Sequence, residues 1–238
     1  MISVIIPVRN AAAGLADCLA SLSQGRDSGL IGEIVVVDGG STDATAQIAE
    51  AGADRLLQAP PGRARQMRAG AVQAAGDWLL FLHGDVVLEA GWEAEVQAFL
   101  ALQGKDATVA AAFGFALRDD TPKARLLERL VAWRCRWLGL AYGDQGLLLP
   151  RKFYENLGGF AMLEFMEDVE IIRRIGRRRL ALLNSRAASD AARYRNDGFL
   201  ARCSRNAVLT SLYLLGVPAA RLAGFYASKA GKRRKATP

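Results

Sequence analysis

The sequence predicts an α/β fold: a mainly parallel central sheet flanked by helices, with a C-terminal helical extension. Three observations carry this. Short β-branched runs alternate with segments of helical spacing through the first hundred residues. The run Ile34-Val35-Val36-Val37 is continuously apolar, as in a strand covered on both faces. The connections are short and rich in Gly, which favours strands joined through helices.

The elements follow in order. Ile2–Ile6 is a strand ended by Pro7, and Ala11–Leu22 a helix with Leu15, Leu19 and Leu22 on one face. Glu33–Asp38 is a buried strand, after which Ser41 and Asp43 offer N-caps for a helix through Ala51. Arg55–Gln58 reads as a short strand, Arg63–Ala75 as an Ala-rich helix, Trp78–Leu82 as a strand and Gly91–Leu102 as a helix. The second half is less regular. Strands are expected at Val109–Leu117, Gly146–Leu149 and Leu180–Leu183, and helices at Lys152–Leu157, Glu167–Ile175, Phe199–Leu215 and Pro218–Lys229. Pro122–Leu138 is a basic amphipathic helix whose apolar side carries Leu126, Leu127, Leu130, Trp133 and Trp137. Residues 231–238 read as a basic tail.

The 238 residues suffice for one sizeable core. Hydrophobic residues at 51% and charged residues at 23% exclude disorder over most of the length. The net charge of +7 suits nucleic acid, an anionic membrane surface or phosphorylated small molecules, or equally a solvated basic face. No nucleic-acid partner is expected. Three scattered cysteines give neither a disulfide framework nor a CxxC metal site, which fits a reducing cytoplasm. The N-terminus lacks the pattern of a signal peptide, and no apolar stretch reaches the roughly 20 residues that span a bilayer.

Ligands in such sheets bind beyond the carboxyl ends of the strands. Asn10, Asp38 and Asp85 each follow a strand-like run. Asp38 closes one, and Gly39-Gly40 then lets the backbone approach a ligand. Its carboxylate suits a ribose hydroxyl or a base N–H, or equally the capping of the next helix. Leu82-His83-Gly84-Asp85 sets an imidazole and a carboxylate at another strand end. A divalent cation there would hold a diphosphate against its own charge, with Asp85 as ligand and His83 as a second ligand or hydrogen-bond partner. His83 is the only histidine, so a multi-histidine zinc site is excluded. Glu167 and Asp168 open a helix, where they complement its dipole or supply a general base, and Gly158-Gly159-Phe160 before them would leave room for substrate.

The segments Ser3-Val4-Ile5-Ile6-Pro7-Val8-Arg9-Asn10, Val36-Val37-Asp38-Gly39-Gly40-Ser41-Thr42-Asp43 and Gly76-Asp77-Trp78-Leu79-Leu80-Phe81-Leu82-His83-Gly84-Asp85 together resemble the family 2 glycosyltransferases. Gly158-Gly159-Phe160 with Glu167-Asp168 extends the likeness, which covers roughly residues 1–185. It is nearest to a small bacterial subgroup associated with radical-SAM and selenium-linked genes. The resemblance implies a GT-A fold: a nucleotide-binding part over about 1–105, an acceptor and catalytic part over 106–185, then a helical extension over 186–230. It implies an inverting enzyme with a nucleotide-sugar donor and a Mn²⁺ or Mg²⁺ ion. Pro7 and Arg9 would line the nucleoside pocket, Asp38 would bind base or ribose, and Arg63 and Arg68 would approach the nucleotide. Asn10, Gly39 and Gly84 complete that set. Asp85 would coordinate metal, and Asp168 would be the base with Glu167 beside it. Arg193 would hold the diphosphate or an anionic acceptor.

Two departures stand out. His83-Gly84-Asp85 replaces the usual Asp-x-Asp, and the Gln-x-x-Arg-Trp motif of processive members is absent. The acceptor is open, lipid-linked or small. The basic segments Lys123–Trp137 and Lys229–Lys235 permit peripheral contact with the inner face of an anionic membrane. A metal-dependent nucleotidyltransferase and a non-catalytic nucleotide-sugar-binding protein are the alternatives.

Overall fold

The computed structural model describes residues 1–103 and 107–224. Its strands are β1 (Ile2–Val8), β2 (Ile31–Asp38), β3 (Arg55–Gln58), β4 (Trp78–Phe81), β5 (Val86–Leu88), β6 (Ala110–Leu117), β7 (Leu147–Pro150) and β8 (Leu180–Ser189). Its α-helices are α1 (Ala12–Ala20), α2 (Ser23–Asp27), α3 (Thr45–Gly52), α4 (Arg63–Gln73), α5 (Trp92–Ala101), α6 (Pro122–Leu138), α7 (Arg151–Asn156), α8 (Glu167–Ile175), α9 (Ala192–Asp197) and α10 (Phe199–Leu214). Residues 219–224 begin a further helix, and the tail lies outside the described residues.

The strands form one sheet in the order β3-β2-β1-β4-β7-β6-β8-β5. The first four are mutually parallel. β7 runs antiparallel to both β4 and β6, β8 lies parallel to β6, and β5 pairs antiparallel with β8. Side-chain alternation divides the core between the two faces. Ile2, Val4, Ile6, Leu80 and Leu148 pack with α1 and α5 on one, and Ile5, Val35, Leu79 and Leu149 with α4, α6 and α8 on the other. Both faces are covered, as the apolar run of β2 requires.

Two strands depart from expectation. β5 is three residues long and carries too little pattern to be read from sequence. Strand β8 runs to Ser189 rather than ending at Leu183, although the added residues are largely polar. Partners hold it: β6 on one side, β5 on the other, and the Glu95 carboxylate, which accepts from Asn184 N and Ser185 N at 2.7 Å each. The expected helix over Ala11–Leu22 is shorter, and a separate α2 follows it. In α2, a Cβ on Gly25 would meet the Trp92 ring at 2.7 Å, so the glycine lets that helix close on α5.

The β4–β5 connection shapes the sheet. The two strands stand four places apart in strand order. In a flat sheet that is about 19 Å, whereas the five steps from Phe81 to Val86 reach roughly 17 Å when fully extended. The sheet therefore curls, and the curl carries His83-Gly84-Asp85 across the mouth of a cleft.

Candidate active site

The cleft has a volume of about 640 Å³ and is lined by Pro7, Arg9, Asn10, Arg63, His83, Gly84 and Asp85, with Arg118 and Arg202 on its far side. Seven sequence-selected residues thus converge from two strand ends, those of β1 and β4, and from the start of α4. Close packing brings them together. A Cβ on Gly84 would meet Val8 Cγ1 at 2.9 Å, and one on Gly14 would lie 3.0 Å from Asp85 Cα, so α1 rests directly on the turn that holds Asp85. Beneath it the Cys18 thiol is buried and donates to His83 O at 3.5 Å. Burial first, and then the Asp85 charge, push that thiol's pKa up to about 12, so it is inert.

Asp38 and Asn10 organise the loop after β2. Asp38 is 2% exposed and accepts from Ser41 N at 3.1 Å, from the Ser41 hydroxyl and from Gln58 Nε2 at 3.3 Å. It is not among the residues lining the cleft. Asn10 sits at φ 52°, a left-handed conformation that asparagine tolerates. Its Oδ1 accepts from Thr42 N at 2.8 Å, tying β1's end to the loop. The capping expected of Ser41 and Asp43 takes another form: Asp43 accepts from Thr45 N at 3.0 Å and from Ala12 N at 3.3 Å, joining α3 to α1. Gln66, which the sequence reading passed over, is buried and donates through Nε2 to Val8 O and Val37 O at 2.8 Å each. It holds the ends of β1 and β2 together under Gly39, where a Cβ would lie 3.0 Å from it.

Arg68 is elsewhere. Its Nη1 donates to Gly158 O and Phe160 O, both at 2.9 Å, and it does not line the cleft. Arg174 grips the same turn from the other side, donating to Leu157 O and, at 2.7 Å, to Gly159 O. The turn is filled rather than open: Phe160 is 2% exposed and meets Phe81 edge to face at 4.9 Å. Arg193 lies in α9, and its side chain is outside the described set.

The turn Tyr142-Gly143-Asp144-Gln145 was missed by sequence reasoning, and it organises the centre. Asp144 Oδ1 lies 3.1 Å from His83 Nδ1. Gly143 N donates to Asp168 Oδ2 at 2.9 Å, while Val169 N donates to Oδ1 at 2.8 Å. Gln145, buried, donates to Phe113 O at 2.8 Å and locks the turn to the sheet. The only sequence signal was an acid between Gly143 and Gly146, with Gln145 beside it, just before the apolar run of β7.

Glu167 behaves differently from Asp168. It is 1% exposed, and Arg63 Nε lies 3.0 Å from its Oε1. Among the described residues neither of its oxygens has a well-aligned hydrogen-bond donor. Burial, partly offset by Arg63 and reinforced by the neighbouring Asp168, raises its pKa above the ordinary 4.5. Glu167 therefore anchors Arg63, whereas the half-buried Asp168 keeps a lone pair on each oxygen beyond its backbone bonds.

Among the described residues no three His, Cys, Asp or Glu side chains cluster as a metal cage. Asp85 offers a hard oxygen on the cleft wall. The His83 ring is wedged between Asp144 at Nδ1 and Gly143, where a Cβ would stand 2.7 Å from Nε2. The residues fit an ion of the Mg²⁺ or Mn²⁺ type, which needs few protein ligands because diphosphate oxygens and water complete its shell.

The description "Glycosyl transferase family 2" matches residues 3–170. The chain belongs to that family. Among curated relatives, the "PGL/p-HBAD biosynthesis glycosyltransferase" of Mycobacterium bovis is 42% identical over 108 residues, which is 42% of this chain and 41% of that protein. The match thus spans about two-fifths of the relative's length. Two solved structures share the fold of this family 2 member. Glucosyl-3-phosphoglycerate synthase from Mycobacterium tuberculosis, in complex with Mn²⁺, UDP and glucosyl-3-phosphoglycerate, aligns at TM-score 0.60 and 22% identity, covering 92% of this chain and 81% of the other. S. aureus TarS with UDP-GlcNAc aligns at 0.61 and 17%, covering 79% and 58%. The GT-A expectation holds. Among the described residues no helix is long and apolar enough to cross a membrane.

Proposed function

We propose that this chain transfers a sugar from a uridine-diphosphate donor to an acceptor hydroxyl, with inversion at the anomeric carbon and Asp168 as general base. The observation that carries the reading is the Asp168 carboxylate, held by two backbone N–H groups in a small space whose wall includes His83, the residue that also lines the arginine-rich cleft. The uridine preference is drawn from the structural neighbours, whose complexes contain UDP.

Arg9 and Arg63 attract the diphosphate, Pro7 and Asn10 border the nucleoside, and the buried Asp38 orders the loop beside it. Asp85 is the metal ligand, and a cation bound there supplies charge compensation for the departing diphosphate. His83, oriented by Asp144, lines both the cleft and the small space around Asp168. Asp168 takes the proton from the acceptor hydroxyl as that oxygen bonds to the anomeric carbon. The bond from that carbon to the diphosphate oxygen breaks, and the nucleoside diphosphate leaves with the electron pair. Attack opposite the leaving group gives inversion.

Asp168→Asn keeps the shape and removes the base. Transfer should fall by about 10²–10⁴-fold, while UDP affinity measured by calorimetry stays within a few-fold. Full activity in that variant would refute the base assignment. Calorimetry of UDP with Asp85→Ala, with and without Mn²⁺, should show the metal-dependent part of binding lost.

Helix α6 supports a second element of the reading, peripheral contact with an anionic cytoplasmic membrane face. Leu126, Leu130, Trp133 and Trp137 form one stripe along it, each more than half exposed. Exposed Lys123, Arg129 and Arg136 flank that stripe. Apolar side chains edged by cations are what an anionic bilayer surface binds.

A further inference from the structure

A second cavity opens on the other side of His83 and Asp144. It is a groove of about 330 Å³ between α6 and α10. Leu127, Leu130 and Leu138 line its α6 wall, and Ala207 and Leu214 its α10 wall. Its inner end is formed by Tyr142 and Asp144, two residues of the turn that also positions Asp168 and His83. Arg134 does not project its charge into free space there: its guanidinium lies 3.7 Å from the centroid of the Tyr142 ring.

We infer that this groove is the acceptor subsite, and that it takes the apolar body of an amphiphilic alcohol or phenol whose hydroxyl reaches the centre past Tyr142. The inference rests on the transferase reading and adds the acceptor's chemical class. Three features support it. The two cavities are chemically opposite. The donor cleft carries Arg9, Arg63, Arg118 and Arg202, suited to a diphosphate, whereas the groove is mainly apolar, with Asn206, Thr210 and Ser211 on α10 as short polar breaks that could not replace the full hydration of a sugar or phosphate. The groove's size falls within the roughly 300–1,000 Å³ of small-molecule sites. Its mouth is continuous with the exposed stripe of α6, since Leu130 belongs to both, so a molecule drawn from a lipid surface would enter without crossing polar ground.

The test uses the full chain and two probes of this chemistry: monomeric 4-butylphenol, and farnesol carried in phosphatidylcholine vesicles, with glycerol as polar control. Ala207→Trp fills the groove from an exposed helical position, and Leu130→Glu places a carboxylate at its mouth. Binding is read by ligand-observed NMR for the phenol and by co-sedimentation for farnesol. The wild type should bind at least one probe and not glycerol, and both variants should bind it about tenfold more weakly. The probe that binds tells a free small acceptor from a lipid-borne one. Failure to bind either probe, or equal binding by wild type and both variants, overturns the inference. UDP affinity is measured on the same samples. Retained UDP binding shows that the variants are folded, and absence of UDP binding in the wild type counts against the donor reading independently of what the groove does.

Discussion

Gly143 has no room for a side chain, because a Cβ there would stand 2.7 Å from both His83 Cε1 and Nε2 and 3.3 Å from Asp168 Oδ2. Gly143→Ala must therefore push apart two groups that the proposed reaction uses in register. Displacements near 1 Å cost about 10²-fold in rate, so kcat should drop by that order while UDP affinity is unchanged. Glu167 makes a different prediction. Its folded pKa is raised by burial, so the folded state holds a proton that the unfolded chain releases near 4.5. Its contribution to stability is complete below that value and is lost as pH rises through the folded pKa. Glu167→Gln should flatten this decline, seen as a smaller fall in Tm above pH 4.5 than in the wild type. His83 and Asp85 were legible as cleft residues because they follow an apolar strand run, whereas Asp38, read from the same signal as a ligand for base or ribose, is turned into bonds with Ser41 and Gln58 and does not line the cleft. Gly143 and Asp144 were not legible, because their turn has no periodicity and gains meaning only from what packs against it.

At the level of elements, α6 shows that an amphipathic pattern read from sequence does not say which apolar side chains the core will cover. The sequence placed Leu126, Leu130, Trp133 and Trp137 on its apolar side. The side chains buried against the sheet are instead Ala124, Val131 and Cys135, with Leu127 partly buried beside them. The larger stripe is left outward. Replacing Trp133 and Trp137 together by Ser should leave stability within about 0.5 kcal/mol per site, as for surface positions, but lower affinity for anionic vesicles about tenfold. Co-sedimentation at low salt measures it, and unchanged binding would rule out this face. The Gly158-Gly159-Phe160 turn was read as spacious for a related reason. Two glycines imply room, yet both adopt positive φ, and all three of the turn's carbonyls, with that of Leu157 before it, are taken by Arg68 and Arg174. The family resemblance placed Arg68 near the nucleotide together with Arg63, on the same helix. Five residues along a helix turn it about 140° away.

In the whole molecule, β7 is the hinge of the architecture. Leu148 pairs with Leu80 of β4 and with Ala111 of β6, joining the parallel nucleotide-side strands to the remainder of the sheet, and it is fully buried. Leu148→Ala removes contacts from the centre of the sheet and should cost about 2–5 kcal/mol, measured by denaturant unfolding. One cooperative transition at lower denaturant is expected, because the core on each face spans both sets of strands. A variant that unfolded in two separated steps would show that the halves are independent.

The sequence by itself determined the α/β class, the buried parallel strands and the acids at their ends, since these depend on local periodicity and on side chains next to one another in the chain. It also placed Asp168 at the start of a helix. Tertiary structure alone decided which of these groups meet. The parallel pairing of β1 with β4 sets His83 and Asp85 beside Arg9, and the packing of α4 on that sheet brings in Arg63. The 142–145 turn, silent in the sequence, fixes His83 and Asp168 together. The pairing of Arg63 with Glu167, the diversion of Arg68 and the groove beside α10 likewise depend on contacts between residues tens of positions apart. Spacing along the chain carries no information about such contacts until the sheet is closed.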